Sequence, residues 1–508
     1  MGQSVKEAGA ETGALVEVRS IDYVPIAERF GKVWHLLPVW FQGNAQLATL
    51  AVGQIGISLG LNFGWSIVAI ALGSLVGTMF MAFHSAQGPK LGLPQMIQSR
   101  PQFGYYGSLL PVVAAVLLFF GFNIFNTVIG GEMIQNTTIH GNLVIPEIII
   151  AALALAFTVF GYRIIHLGLR WATYLFLVGY GIFTIGALVT AHLPAGQYSL
   201  SGSFKLAPFL IEFGVVMSYQ LTWAPYVSEY SRYLPFETKT SDTFLYTYVG
   251  SVLGAIWPML IGAYVLAWNP NLGFIEAIRA VGDKIFSGFG LIVLLISWPG
   301  MVGVMAMNMY SGGLATLAAV DVVKPVKPNL SARLLSISFI AVGASVAALF
   351  IPASFLYPSF FNFLLIVLYF MIPWTAINLI DFFFVRRERY AILEIFKPHG
   401  IYRAWGWRGI TAYIAGFVAM IPFFSTTIYT GPVASGPLGG GDISPFIGFP
   451  VAAIIYYVLS RDIDVESEWR LADEQRPILE KIAQEHARID ETSPTTGVPE
   501  LDVQHELN

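Results

Sequence analysis

Few residues in this chain are able to do chemistry, and most of them suit recognition better than bond-making. Cysteine is absent, which excludes disulfides, thiolate metal sites and cysteine nucleophiles. The 8 histidines form no HxxxH or HxxE pairing and no Walker-type phosphate loop occurs, so neither a metal site nor ATP-driven pumping is expected. What remains is polar groups set inside apolar sequence. Gln42-Gly43-Asn44-Ala45-Gln46 follows Pro38, Ser218-Tyr219-Gln220-Leu221-Thr222-Trp223 runs into Ala224-Pro225, and Ser297-Trp298-Pro299-Gly300 precedes Gly303 and Asn308. A proline leaves the carbonyl four residues earlier without its helical partner. Pro38 does this to Trp34 and Pro225 to Leu221. Three interrupted helices are therefore expected, with freed backbone and amide groups facing a substrate or ion instead of lipid. Among carboxylates, Glu212 lies deepest in an apolar run, whereas Glu132 and Asp381 lie nearer run ends.

The elements that must hold these groups follow from composition. Of 508 residues, 56% are hydrophobic and 11% charged, against roughly 25% charged in an ordinary soluble domain. Such a chain belongs in a bilayer, and its apolar runs have the length of membrane spans. Twelve are legible, near residues 34–60, 62–83, 105–135, 144–160, 166–192, 205–228, 243–268, 284–310, 331–351, 355–384, 409–429 and 444–459. Residues 1–32 are polar, so the first run reads as a mature helix, not a cleaved signal.

Lys and Arg set the orientation. Of the 27, 24 fall in the N-terminal segment, the even-numbered loops and the tail. Only Lys205, Arg279 and Lys284 fall on the other side. A missed or invented helix would scramble that parity, so both termini are expected in the cytoplasm and the protein in a cell membrane, plasma or bacterial inner. After Leu459 the chain carries 13 acidic and 5 basic residues. This composition favours a solvated, partly disordered tail over an amphipathic helix spanning 468–489, and offers nothing to nucleic acid.

The first and sixth runs both carry a break and lie five apart, as two copies of a five-helix unit would place them. An odd number of helices per copy inverts the second copy. The chain then divides into an N-terminal segment 1–33, a first unit 34–192, a second unit 205–384, two extra helices 409–460 and an acidic tail 461–508.

Several segments, taken in order, resemble one family. Gly88-Pro89-Lys90-Leu91-Gly92-Leu93-Pro94-Gln95-Met96-Ile97 is followed by Phe103-Gly104-Tyr105-Tyr106-Gly107 and Asn126-Thr127-Val128-Ile129-Gly130-Gly131. Then come Trp223-Ala224-Pro225-Tyr226-Val227-Ser228-Glu229-Tyr230-Ser231-Arg232-Tyr233-Leu234-Pro235 and Trp374-Thr375-Ala376-Ile377-Asn378-Leu379-Ile380-Asp381. Together they are similar to the nucleobase:cation symporter-1 family, in its purine-cytosine permease branch, over roughly 34–459. The resemblance implies an all-α, LeuT-type 5+5 inverted repeat with two further helices. It also implies ion-coupled import of a nucleobase or related small heterocycle by alternating access, with no cofactor and no obligate protein partner.

It implies a substrate site as well. Phe122 stands where the family usually has Trp, four residues before the amide of Asn126, so that a ring can stack on a planar base while the amide reads its edge. Phe offers a smaller face than Trp and no N–H. The matching groups elsewhere are Trp223 with the Leu221 carbonyl and Gln220 on the sixth span, Asn308 on the eighth, and Asn44 or Gln46 on the first. An amide suits a base edge because it donates and accepts together.

Sodium-coupled relatives complete an ion site with hydroxyls of the eighth span and carbonyls of the first. Here Pro299-Gly300-Met301-Val302-Gly303 has no hydroxyl, which favours a proton over Na⁺, with Glu212 as the candidate carrier. A channel would show neither two unequal broken helices nor a single aromatic site. An enzyme would need a nucleophile with its base, and His84, His166 and His192 stand alone near span ends. Cytosine, adenine, hypoxanthine, uracil, allantoin, hydantoins and a thiamine-like vitamin all remain open as the cargo.

Overall fold

The structure is a computed structural model describing residues 19–160, 162–201, 203–326 and 330–492. Lys6, Lys327 and residues 493–508 of the tail, all used in the charge reading above, lie outside them. Among the described residues regular structure is helical, apart from one isolated bridge between Ser425 and Thr430.

All twelve apolar runs are helical. Seven helices are long and apolar enough to cross a membrane unaided. The other runs are shorter apolar helices, two of them because they are broken. The first span is divided into Leu36–Asn44, Leu47–Val52 and Ile55–Ser58, and the sixth into Leu206–Leu221 and Val227–Ser231. In the first span, Gln46 leaves helical geometry (φ −156°, ψ 170°) and its side chain caps the next segment by accepting from Ala48 N. That capping bond offsets the lost helical one.

The eighth span does not break. It runs as one helix from Phe289 to Val323 through Pro299, beginning later and ending later than the hydropathy reading placed it. Pro258, Pro358 and Pro373 likewise sit inside continuous helices. A single proline removes one hydrogen bond and bends a helix, whereas a break exposes several backbone groups and persists only where polar side chains receive them. Between the seventh and eighth spans lies an amphipathic helix, Phe274–Ile285, which the span count had left as a loop.

Packing shows the two-fold relation between the units. A Cβ on Gly250, Gly254 or Gly262 of the seventh span would fall 2.4, 2.3 or 1.8 Å from the carbonyl oxygens of Leu37, Phe41 and Leu50. One on Gly73 or Gly77 of the second span would fall 2.7 or 2.4 Å from those of Phe213 and Met217. The broken helix of each unit thus lies against the second helix of the other, backbone to backbone, as small residues in membrane helices permit.

The N-terminal segment, the even-numbered loops and the tail gather at one end. Arg29 donates to Val24 O and Pro89 O, and Arg232 donates to Ser20 O. Within the described residues the tail forms a helix, Val465–Thr492, the amphipathic alternative to the disordered segment that composition favoured, with much of its surface still exposed. Its Glu468 meets Arg386, its Trp469 indole donates to Arg386 O, Gln475 accepts from Leu393 N, and Leu479 is buried. Those partners lie some 80 residues away, and composition does not register them. Arg386 also holds Asp381, which starts a π-helical turn, Asp381–Val385, ending the tenth span.

Candidate functional site

The two broken spans meet and bring together residues that the sequence reading named. From the sixth come Tyr219, Gln220, Trp223 and Tyr226, from the first Gln42, Asn44 and Gln46, from the third Phe119, Phe122 and Asn126, and from the eighth Asn308. All are buried. On the third span, Phe119, Phe122 and Asn126 fall on one helical face at i, i+3 and i+7.

The rings form a connected group. Phe122 is edge-on to Tyr219, with centroids 6.0 Å apart, and Trp223 lies 6.3 Å from Tyr219 and 5.0 Å from Tyr226. Phe119 packs on Tyr226 at 4.5 Å. Phe122 also meets Phe360 and Phe363 of the tenth span, which fill space beside a ring smaller than Trp.

The amides divide into two classes. Asn44 accepts from the Trp223 indole N–H at 3.1 Å and donates to Trp40 O and Ser251 Oγ. Gln46 accepts from Ala48 N and donates to Tyr219 OH and Thr49 Oγ1. Both have their N–H groups and one oxygen lone pair engaged by protein partners in this structure. They hold Trp223 and Tyr219 in place. The Leu221 carbonyl is also taken, by Ala224 N at 2.9 Å, because the chain turns at the break and offers an N–H three residues on. It is not the free acceptor that Pro225 suggests.

Four amides keep capacity, one of them Gln42 through its buried, unpartnered Oε1. Asn126 has no protein partner among the described residues, and its Oδ1 is fully buried. Gln220 accepts from Ser251 Oγ, but its Nε2 is unpartnered. Asn308 accepts from Tyr226 OH and keeps both N–H groups. Buried polar groups normally find partners, so these free amide atoms beside the edge-on and tilted rings have the capacity to pair with the edge of a planar polar molecule.

Near the ion position that sodium-coupled relatives use, Gln42 Nε2 donates to the Ala45 carbonyl at 2.8 Å. Gly300 makes room for that amide, since a Cβ there would lie 2.8 Å from Nε2. Glu212 accepts from Gly56 N at 2.5 Å, its other oxygen has no partner, and it is completely buried. It ties the sixth span to the far end of the first. Seven residues separate it from Tyr219, two helical turns along the same face.

Tyr219, Tyr226 and Gln42 were not assigned from sequence, although Tyr219 and Gln42 lie in quoted break motifs and Tyr226 directly follows one. A phenol or amide beside a helix break was the available signal. Ser251, within an apolar run of the seventh span, carried none.

Residues 23–448 match the family of permeases for cytosine/purines, uracil, thiamine and allantoin. The putative purine-cytosine permease YxlA of Bacillus subtilis is 36% identical over 449 residues, covering 88% of this chain and 96% of that one. The purine-cytosine permease fcyB of Emericella nidulans is 26% identical over 470 residues, covering 87% and 88%. Among solved structures, Mhp1, a nucleobase-cation-symport-1 family transporter in a closed conformation with bromovinylhydantoin bound, superposes with a TM-score of 0.72 at 20% identity, covering 92% of this chain and 99% of that one. That likeness is one of fold, and it agrees with the LeuT-type inverted repeat expected from sequence. With broken spans paired five apart, amides and rings gathered between them, and the family matched along most of its length, this chain belongs to the nucleobase:cation symporter-1 family of cytosine/purine permeases.

Proposed function

We propose that this protein imports a nucleobase or closely related planar heterocycle by proton-coupled alternating access. The observation that carries the reading is the meeting of Phe122, Tyr219 and Trp223 with the unpartnered amide of Asn126 and with Asn308, whose oxygen alone is engaged, by Tyr226. Rings take the π-face of a base in any sequence context, and amides match the mixed donor and acceptor pattern of its edge.

Proton coupling rests on two features. The Ala45 carbonyl already holds the Gln42 N–H, leaving Gln42 Oε1 as the unpartnered oxygen there, and the facing stretch Pro299 to Gly303 of the eighth span offers no hydroxyl to complete an Na⁺ site. Glu212 is buried between the broken spans with no cation paired to it among the described residues, and a proton gained or lost there changes the local charge balance. An ion biases a transporter only if one conformational state binds it more tightly.

In proteoliposomes, uptake of a labelled base is expected to persist when choline replaces Na⁺ and to collapse with a protonophore. Glu212→Gln should weaken accumulation against a gradient and leave counterflow largely intact, because exchange moves no net proton. Strict Na⁺ dependence would overturn proton coupling, and failure to take up any of cytosine, adenine, hypoxanthine, uracil, allantoin, a hydantoin or thiamine would overturn the substrate class.

The charge asymmetry supports an orientation with both termini in the cytoplasm of a cell bounded by the host membrane. Reporters fused after Asn136 and after Leu459 should read opposite sides, and equal signals would refute this orientation.

A further inference from the structure

We propose that Tyr226 determines which bases the site accepts, by fixing the direction in which the Asn308 amide faces. The proposal rests on the reading of the site as a nucleobase site.

Tyr226 ends the break in the sixth span, one residue after Pro225, and its hydroxyl donates to Asn308 Oδ1 on the eighth span, 82 residues away in sequence. Tyr226 OH has no other partner among the described residues. Were the amide turned over, its Nδ2 would donate to the hydroxyl and the phenol proton would be buried without an acceptor, which is costly in a dry interior. The observed orientation is therefore the one the phenol enforces. The ring cannot swing aside to release it, being held edge-on by Phe119 at 4.5 Å and against Trp223 at 5.0 Å. Trp223 is in turn fixed by Asn44.

The consequence is chemical. With its oxygen engaged, Asn308 presents only N–H groups, and an N–H meets a carbonyl or ring-nitrogen acceptor but opposes an exocyclic amino group. Asn126 lacks any protein partner among the described residues, so its amide turns to suit either. The site thus combines one adaptable amide with one donor of fixed sense. Sites built around a fixed polar partner discriminate strongly, because a mismatch leaves buried groups unpaired. Tyr226 is accordingly a positioning residue that sets specificity through Asn308.

The test compares bases that differ by an oxo or an amino group at one position: hypoxanthine with adenine, and uracil with cytosine. Affinities are measured by competition or thermal shift on the purified full-length protein. The parent should separate the members of at least one pair by roughly tenfold or more. In Tyr226→Phe, which keeps the ring and frees the amide to turn, that ratio should fall several-fold toward one while binding persists. Asn308→Leu, which removes the donor altogether, should also shrink it. A purely structural role for Tyr226 would weaken both members equally and leave the ratio unchanged. An unchanged ratio in Tyr226→Phe, or a parent that separates neither pair, overturns the proposal and leaves the transport reading standing. A parent that binds none of the four bases removes the nucleobase reading and this proposal with it.

Discussion

Arg386→Met is expected to destabilise the protein by about 3–5 kcal/mol, the usual cost of removing one partner from a buried ion pair. Arg386 donates to Asp381 and, at 2.9 and 3.1 Å, to both carboxylate oxygens of Glu468. Asp381 and Glu468 are themselves 0% and 5% exposed. Tyr390 OH, Tyr456 OH and Gln102 Nε2 also donate to Asp381, and Tyr402 OH to Glu468. Without the guanidinium, two buried carboxylates share one pocket with only neutral donors. The chain has left-handed geometry at Arg387 and Glu388, φ 51° and 65°, a strain that the neighbouring contacts hold in place. Thermal unfolding in one detergent should show the loss, and limited proteolysis should cut the tail helix faster. Adding Asp381→Asn and Glu468→Gln to Arg386→Met should restore most of the stability, since no uncompensated charge then remains. An unchanged melting temperature in Arg386→Met would remove Arg386 as the link between the tenth span and the tail.

Asn126→Leu should abolish base binding, and Trp223→Ala should weaken it by about 1–3 kcal/mol, the range found for base–aromatic stacking. The two differ for a physical reason. Trp223 supplies area, and loss of area is graded. Asn126 supplies the adaptable donor and acceptor, and an edge buried against Leu has its polar groups stripped of water and left unpaired. Phe122→Trp should preserve binding or shift selectivity, although Phe360 and Phe363 crowd the added ring atoms. Thermal-shift titration with a transported base measures all three. Parent-like affinity in both Asn126→Leu and Trp223→Ala would place the site elsewhere.

The features legible from sequence alone are those whose causes are local. A span announces itself because some 20 consecutive residues must each tolerate lipid, and its direction because lysine and arginine resist translocation. The breaks of the first and sixth spans were readable because Pro38 and Gln42 to Gln46, and Ser218 to Pro225, put proline beside polar side chains. Proline without receiving groups misled the reading at Pro299, where the helix continues.

Which polar groups remain free is a different kind of fact. Asn44, Gln46, Asn126 and Asn308 are alike in sequence as amides within apolar helices. Only the tertiary structure shows that Trp223 and Tyr219 bond to the first two, that Asn126 stays without a partner among the described residues, and that the oxygen of the last accepts from Tyr226. Glu468 of the acidic tail follows the same rule, since its charge reads as solvated until Arg386 is placed beside it. A hydrogen bond in low dielectric is decided by whichever group arrives within about 3 Å. Here the pairs Tyr226–Asn308 and Asn44–Ser251 lie 82 and 207 residues apart, a separation that no local pattern of residues records.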